Sequence, residues 1–235
     1  MSLPVSVVIP SYNRARSLYR TLLALHYQTS PPNEVIVIND HSSDDTRLIL
    51  DRLRAKSLNY HLIVIHNRNN AGPSISRNKG ILAATQPFVA FTDDDCIPAQ
   101  NWLTVMYERL DQENTNNNAI IGIGGKVLAL NQDLVSQYYD LHHILDPPSS
   151  EIYLVTANCM YFRDVLLEVN GFDETIKVPG GEDPGLSFAL SNLGYQFYFT
   201  QDAVVHHDYQ QTLKSFIKTF YRYGKGCHYV TARYK

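Results

Sequence analysis

Three consecutive carboxylates, Asp93, Asp94 and Asp95, follow the apolar run Phe88–Phe91 after a single threonine. Negative charges this close repel one another, and packing them against a sheet raises the electrostatic cost. A hard divalent cation, held together with the phosphates of a ligand, would offset the repulsion because such cations prefer oxygen ligands. The alternative is an acidic surface turn that merely ends a strand, since Asp-rich turns are common.

Polar loops also follow three earlier apolar runs, which begin at Val5, Glu34 and Leu62. These loops comprise residues 11–14, 40–45 and 67–72. The segments between the runs carry leucines at helical spacing, and we expect Ser17 to cap the first of these helices. Short buried strands that alternate with helices predict a parallel sheet covered on both faces. Right-handed crossovers then bring these three loops and the acidic triplet to the carboxyl edge of the sheet, where open α/β sheets bind ligands. The pattern therefore favours a ligand-binding site over a simple surface turn.

Composition limits the classes of protein that this chain can belong to. The chain has 235 residues, 44% of them apolar and 18% charged, which is typical of one globular α/β domain. A net charge of −3 gives no general attraction to nucleic acid, so we predict no nucleic-acid partner. Three scattered cysteines favour a reducing compartment, and the N-terminus lacks the features of a signal peptide. We therefore expect a cytoplasmic protein with no membrane-spanning segment.

The second half of the chain is less regular. We expect a helix after Pro98, strands over 120–130 and 153–162, a short helix near Val165 and a helix that begins at Gly180. Residues 114–118 read as a polar loop, and residues 196–200 and 203–206 as a final hairpin. Residues 131–152 show no clear periodicity. No strong linker divides the chain, so residues 1–208 are predicted to form one domain with halves at about 1–97 and 98–208.

Six motifs in order resemble family 2 inverting glycosyltransferases, which have the GT-A fold. They are Ser6–Arg14, Val37–Asp44, Asn70-Ala71-Gly72 with Arg77-Asn78, Asp93-Asp94-Asp95, Gly171–Glu174, and Gly180–Asp183 with Leu186. The resemblance extends from residue 5 to about residue 208. It implies a mostly parallel Rossmann-like sheet flanked by helices. One departure is Pro184, where the family more often has a polar residue, but proline suits the first turn of a helix.

The resemblance also implies roles for individual residues. A nucleotide-sugar pocket would be lined by Pro10, Tyr12, Arg14, Asp40, Asn70, Gly72, Arg77, Asp93 and Asp94. Asp40 would accept a hydrogen bond from the base, most naturally from N3–H of uracil. Asp95 would hold Mn²⁺ or Mg²⁺ against the diphosphate, together with His206 or His207. Adjacent strand residues face opposite ways, so the sequence leaves the choice of histidine open.

For catalysis, the resemblance implies that Asp183 is the general base and that Glu182 positions the acceptor. A base that takes the acceptor proton directly implies a single displacement and hence inversion. The expected donor is a nucleotide-diphospho-sugar, with a UDP-sugar favoured, and the acceptor is a glycan, lipid-linked or other hydroxyl. Two alternatives remain: a sugar nucleotidyltransferase, and a binding module that has lost catalysis. For single residues, Asp183 could instead be a helix N-cap, Asp40 an Asx-turn residue, and Arg77 a surface ion-pair partner.

The tail, residues 209–235, contains no acidic residue. Its apolar and aromatic residues recur at helical spacing with interleaved lysines and arginines, which predicts a basic amphipathic helix. Such a helix suits binding to an anionic membrane surface, which would place the protein peripherally at the inner face of the membrane. It would also suit contact with a lipid-linked acceptor. The alternative that we favour is a helix that packs on the domain and leaves a solvated basic face.

Overall fold

The computed structural model describes residues 2–146, 153–176 and 180–233. Eight strands form one mixed sheet in the order β3-β2-β1-β4-β7-β6-β8-β5. The strands are β1 Leu3–Ser11, β2 Pro32–Asn39, β3 His61–His66, β4 Phe88–Phe91, β5 Cys96–Pro98, β6 Ile120–Ala129, β7 Cys159–Phe162 and β8 Gln196–His207. The helices are α1 Ala15–His26, α2 Thr46–Arg54, α3 Pro73–Ala83, α4 Trp102–Asn116, α5 Leu134–Leu141, α6 Arg163–Glu168, α7 Glu182–Ser191 and α8 Leu213–Arg233.

The first half of the sheet is parallel, as predicted. β1 lies between β2 and β4, and β3 follows on the far side of β2. Along β1 the side chains alternate between the two faces: Val7 joins the apolar cluster under α1, α2 and α4, while Val8 joins the cluster under α3, α6 and α7. Burial on both faces explains why these strands are continuous apolar runs rather than alternating ones.

The first helix begins earlier than expected. α1 starts at Ala15, so Ser17 lies inside its first turn and its hydroxyl donates to the carbonyl of Arg14. The prediction of Ser17 as the cap is therefore wrong. The backbone N–H of Ala15 instead donates to Asp44 Oδ2 at 3.0 Å, so the acceptor for this helix end comes from the next polar loop.

The second half of the sheet contains antiparallel pairs. β7 pairs antiparallel with β4 and β6, and β5 pairs antiparallel with β8, whereas β6 and β8 are parallel. The strand expected over 153–162 is confined to β7, and the loop expected at 114–118 is mostly the end of α4. α5 lies in the segment that showed no periodicity. Part of that segment, residues 147–152, is outside the described residues.

The hairpin predicted over 196–206 is also wrong, because both segments belong to the single strand β8. Its first part pairs with β6 up to Gly125 and Thr200, and pairing resumes at Lys126 and Val204. Residues 201–203 therefore form a bulge that keeps the strand direction instead of turning it back. The strand delivers His207 next to Cys96 of β5 at the carboxyl edge of the sheet.

The predicted amphipathic C-terminal helix is α8, and its inner face packs on the domain. Phe216 and Phe220 contact Tyr138 and Tyr139 of α5. Further along, a Cβ on Gly226 would overlap the carbonyl oxygen of Gly180, so the two backbones touch directly. In addition, Arg233 forms an ion pair with Asp173 at 3.0 Å. Within the described ranges, no helix combines the length and apolar character needed to cross a bilayer.

Candidate active site

A cleft of about 770 Å³ opens at the carboxyl edge of the sheet. Its lining includes all but one of the predicted site residues: Pro10, Tyr12, Arg14, Asp40, Asn70, Gly72, Arg77, Asp93, Asp94, Asp95, Glu182, Asp183 and His207. His206 is the exception. Residues from segments far apart in the sequence thus meet in one place, as expected if every strand of the parallel half ends at the same edge.

Asp40 directly follows β2 and organises the loop between β3 and α3. Its Oδ1 accepts hydrogen bonds from Asn67 Nδ2 at 2.7 Å and from the N–H of Ala71 at 2.8 Å, and its Oδ2 accepts from the N–H of Gly72 at 2.9 Å. Gly72 has φ 88° and ψ 172°, a conformation essentially restricted to glycine. The buried carboxylate is therefore held by its own chain, and among the described residues Oδ2 accepts from a single N–H.

A second set of hydrogen bonds ties the loop after β1 to the loop after β2. Asn13 has a positive φ of 54°, and its Oδ1 accepts from the backbone N–H of Ser43 at 2.8 Å. The N–H of Asn13 donates back to Ser42 Oγ at 2.9 Å. These contacts fix the loop that presents Tyr12, which is half exposed, and Arg14 to the cleft.

Arg77 joins the first carboxylate of the triplet to the helix of the second half. It contacts Asp93 Oδ1 through Nη2 at 2.9 Å and Glu182 Oε1 through Nη1 at 3.1 Å. Burial lowers the pKa of this guanidinium, but the charges of Asp93, Asp183 and Glu182 outweigh burial and raise the pKa above its ordinary value. Arg77 is thus a buried cation at the centre of three carboxylates and not the surface ion-pair residue of the alternative interpretation.

Glu182 has both carboxylate oxygens engaged within the chain. Oε1 faces Arg77, and Oε2 accepts from the N–H groups of Gly180 at 2.7 Å and Gly181 at 3.0 Å. The residue is 4% exposed. These contacts hold the start of α7, and with it the following residue Asp183, against the parallel half of the sheet.

Asp93, Asp95, Cys96 and His207 form a candidate metal centre. Oxygen, sulfur or nitrogen atoms of Asp93, Asp95, Cys96 and His207 lie within 4.8 Å of one another. His207 Nε2 is 3.4 Å from Asp95 Oδ1, while Asp95 Oδ2 contacts Arg14 Nη1 at 3.0 Å. Cys96 offers a soft sulfur atom, which suits hard cations such as Mn²⁺ or Mg²⁺ less well than carboxylate oxygens do.

The charge balance at this centre fits a divalent cation. Burial raises the pKa of Asp94 well above its ordinary value, and the negative charge of Asp95 raises it further. Carboxylates crowded in this way are stabilised by a hard cation, and the oxygen-rich set with one imidazole suits Mn²⁺ or Mg²⁺. The ring of His207 also has a buried Nδ1 without a hydrogen-bond partner among the described residues. His206, on the opposite face of β8, is not part of this group of atoms.

Asp183 faces the same cleft from the start of α7. Its Oδ1 accepts from Thr156 Oγ1 at 2.9 Å and its Oδ2 from the N–H of Thr156 at 3.1 Å. Burial, followed by the negative charge of Glu182, raises its pKa to about 7, even though Arg77 and the hydrogen bond from Thr156 oppose the shift. It makes no side-chain capping bond to α7, whose N-cap is Gly181. A carboxylate with a pKa in this range is suited to take up a proton near neutral pH.

One wall of the cleft consists of residues that the sequence patterns did not identify. They are Tyr139 and Leu145 around α5, Tyr209 and Gln210 after β8, and Ser215, Phe216, Lys218, Thr219, Arg222 and Tyr223 of α8. The aromatic and basic pattern of the tail was a visible signal. It could not tell which face of the helix turns toward the carboxylates, because that depends on packing against distant residues.

Comparison with known proteins identifies the family. Residues 6–169 match the family model described as "Glycosyl transferase family 2". The pre-mycofactocin glycosyltransferase of Mycobacterium tuberculosis is 30% identical over 233 residues, which cover 92% of this chain and 46% of that protein. Glycosyltransferase AglE of Haloferax volcanii is 28% identical over 229 residues, covering 94% of this chain and 72% of AglE. The chain thus spans about half the length of the mycobacterial relative.

Solved structures agree on the fold. The mannosyltransferase PcManGT from Pyrobaculum calidifontis, in complex with GDP-Man and Mn²⁺, superposes with a TM-score of 0.71 at 19% identity over 91% of this chain and 59% of that chain. S. aureus TarS 1-349 in complex with UDP-GlcNAc gives 0.69 at 20% identity over 90% and 60%. The predicted GT-A fold is confirmed. From the extent of the family match and the identity to the mycobacterial protein, the chain belongs to glycosyl transferase family 2.

Proposed function

We propose that this chain transfers a sugar from a nucleotide-diphospho-sugar to an acceptor hydroxyl with inversion at the anomeric carbon. The observation that carries the proposal is the position of Asp183, a carboxylate with a pKa of about 7, in the same cleft as Asp93, Asp95 and His207. Asp183 is suited to accept a proton, and the group of Asp93, Asp95 and His207 is suited to face a diphosphate. An inverting transfer needs both on opposite sides of the sugar.

In the proposed reaction, Asp183 takes the proton of the acceptor hydroxyl while the oxygen attacks the anomeric carbon. The new C–O bond forms as the bond to the diphosphate oxygen breaks, and the nucleoside diphosphate leaves with the electron pair. General-base catalysis of this kind contributes about 10²- to 10⁴-fold. Thr156 holds the carboxylate through two hydrogen bonds, so that it stays oriented before the acceptor arrives.

Asp95 and His207, with Asp93 beside them, are the residues that would hold Mn²⁺ or Mg²⁺. Such an ion would supply Lewis-acid stabilisation of the leaving diphosphate. Arg14, which already contacts Asp95, supplies a second positive charge at the same position. Because Asp40 Oδ2 accepts one N–H from the part of the chain that the structure describes, it can also accept N3–H of uracil, and we propose a UDP-sugar as the donor.

The test is a donor screen that measures released nucleotide with UDP-sugars and GDP-sugars, in the presence of Mn²⁺, Mg²⁺ or EDTA. We expect UDP release that needs the added ion, and a product whose anomeric configuration, read by NMR, is inverted. Pyrophosphate release would instead indicate a nucleotidyltransferase, and binding without turnover a binding module. Equal rates after complete removal of metal would contradict the ion-dependent mechanism.

We also propose that the acceptor is reached at an anionic membrane surface. The outer face of α8 exposes Leu213, Ile217 and Tyr221, which recur every four residues beside the exposed Lys214 and Lys218. An apolar stripe flanked by lysines is the pattern of helices that lie in the headgroup region.

Sedimentation with vesicles tests this proposal. Vesicles that contain phosphatidylglycerol should retain the chain, and pure phosphatidylcholine vesicles should not. Ile217→Glu should abolish retention, whereas Thr231→Glu, the same charge change at an exposed position on the same helix, should reduce it less. Equal retention of both variants would contradict a role for this face.

A further inference from the structure

The ring of His207 lies on a stack of aromatic side chains. It is parallel to the ring of Tyr209, with centroids 4.3 Å apart and planes 14° apart. Tyr209 stacks in turn on Tyr139, at 4.0 Å and 18°. Both tyrosines are buried, at 7% and 5% exposure, and the two faces of Tyr209 are covered by His207 and Tyr139.

The usual means of orienting a metal-binding histidine is absent from the contacts of His207. A ligating histidine almost always donates its second ring N–H to a carboxylate or carbonyl, which fixes both the tautomer and the plane of the ring. Nε2 of His207 faces Asp95, but Nδ1 is buried without a hydrogen-bond partner among the described residues. Something else must therefore set the plane of this ring.

The backbone next to the ring is held independently of the stack. The N–H of Asp208 donates to the carbonyl of Asp95 at 2.8 Å, and the side chain of Asp208 contacts Arg20 and accepts from Asn131 Nδ2 at 2.7 Å. These contacts fix the Cα position of His207 but leave rotation about its side-chain bonds free. The flat contact with Tyr209 restricts that rotation.

The far end of the stack rests on α8. Phe220 lies 5.8 Å from Tyr139 and Phe216 lies 6.1 Å from it, the latter edge-on at 89°. The aromatic column therefore runs from the C-terminal helix, through α5 and the segment after β8, to the candidate metal centre. Edge-on and stacked pairs of this kind add to the stability gained from the area they bury.

We propose that Tyr209, supported by Tyr139 and α8, is the positioning residue that holds His207 as a metal ligand. Stacking replaces the hydrogen bond that normally orients such a ring. The inference rests on the proposed function, because it takes Asp95 and His207 as the residues that bind the ion. It goes beyond that function by making the affinity for the ion depend on side chains that do not touch it.

The experiment titrates the full chain with MnCl₂, with and without UDP, and measures free Mn²⁺ by electron paramagnetic resonance. Tyr209→Leu should weaken Mn²⁺ binding by about tenfold or more, the range found when partners that orient ligands are removed. Tyr209→Phe keeps the ring and should bind Mn²⁺ like the wild type. Phe220→Ala, at the remote end of the stack, should weaken binding less than Tyr209→Leu.

A double-mutant cycle separates positioning from general destabilisation. In a His207→Ala background, Tyr209→Leu should cause no further loss of Mn²⁺ affinity, because the ring that it orients is gone. Phe197→Leu provides a matched control: it removes an equally buried aromatic ring, one that contacts Tyr161 instead. This variant should lose thermal stability and keep its Mn²⁺ affinity.

The outcomes distinguish this inference from the proposed function. A wild-type chain that binds no Mn²⁺ even with UDP would refute the metal site and the inference together. Wild-type affinity in Tyr209→Leu would overturn the inference alone, and so would a full additional loss in the His207→Ala background. Reduced affinity in Tyr209→Leu that Tyr209→Phe does not share would support it.

Discussion

The two walls of the cleft are built by different interactions. On one side is the loop wall, which consists of the loops after β1, β2 and β3 and is joined by hydrogen bonds among Asn13, Asp40 and their neighbours. On the other side, α5, the end of β8 and α8 are joined by aromatic contacts, and α8 closely approaches the segment before α7 at Gly180 and Gly226. The first wall is fixed by short polar motifs, whereas the second depends on the docking of whole elements. Substitutions should therefore act locally on the first wall and through helix position on the second.

The largest effect is expected at Asp183, where the two walls meet. Asp183→Asn keeps the size of the side chain but removes the base, so kcat should fall about 10²- to 10⁴-fold with little change in donor affinity. The wild-type rate should fall as the pH is lowered through about 7, because the carboxylate takes up a proton there. Measurement of released nucleotide from pH 5 to 9 checks both. A variant with wild-type kcat would remove Asp183 from the mechanism.

Asp183→Asn, which should lower activity, should raise the free energy of unfolding at pH 8. The pKa of Asp183 is about 7 in the folded chain and about 3.8 in the unfolded one, so the folded state binds an extra proton between these values. Wild-type stability should therefore decrease as the pH rises from 4 to 7. Asp183→Asn lacks this loss and should be more stable than the wild type at pH 8, with a smaller difference at pH 4. Urea unfolding at the two pH values provides the measurement.

The wall that contains α8 should be most sensitive at Gly226. A Cβ there would overlap the backbone of Gly180, so Gly226→Ala should push the helix away and cost about 1–3 kcal/mol of unfolding free energy. Gly224, two residues earlier on α8, serves as the matched control because a methyl group added there would meet open space. Gly224→Ala should stabilise the helix by up to about 1 kcal/mol. Equal effects of the two substitutions in thermal unfolding would contradict the close approach.

In the loop wall, Asp40→Asn should have an effect of similar size on stability but confined to one loop. The amide has only one oxygen to offer the N–H groups of Ala71 and Gly72, which both donate to the carboxylate. We expect a loss of about 1.5–3 kcal/mol, the contribution of hydrogen bonds to a charged group, together with weaker UDP binding. Asp51→Asn, an exposed site on α2, should change neither. Calorimetric titration with UDP and urea unfolding would show whether the loop depends on this charge.

The loop wall could be predicted from the sequence because the patterns that specify it are local. Each apolar strand is followed at once by its polar loop, and the handedness of the crossovers brings the loops together without knowledge of distant contacts. Asp40 and Asp93 were identified in this way and Arg77 through the resemblance to the family, and all three line the same cleft. Their individual roles in binding a nucleotide sugar stay predictions.

The opposite wall could not be predicted to the same depth. No local pattern indicates that Tyr139 stacks on Tyr209, because the two residues belong to distant segments that meet only after β8 is in place. The pairing of Arg77 with Glu182 likewise joins two distant segments and has no local sequence pattern that indicates it. Glu182 was expected to position the acceptor, yet both of its oxygens contact its own chain. Long-range packing decides such contacts, and a single sequence does not display them.

The bulge in β8 is a position at which the strand can accept an inserted residue. Gln201 and Asp202 are exposed and lie between two separately paired parts of the strand. An extra residue inserted there would enlarge the bulge, while the pairing of His207 with Cys96 would hold its alignment. A one-residue slip beyond the bulge would instead exchange the faces of the two adjacent imidazoles. The bulge can thus accommodate an inserted residue without changing the position of His207 in the cleft.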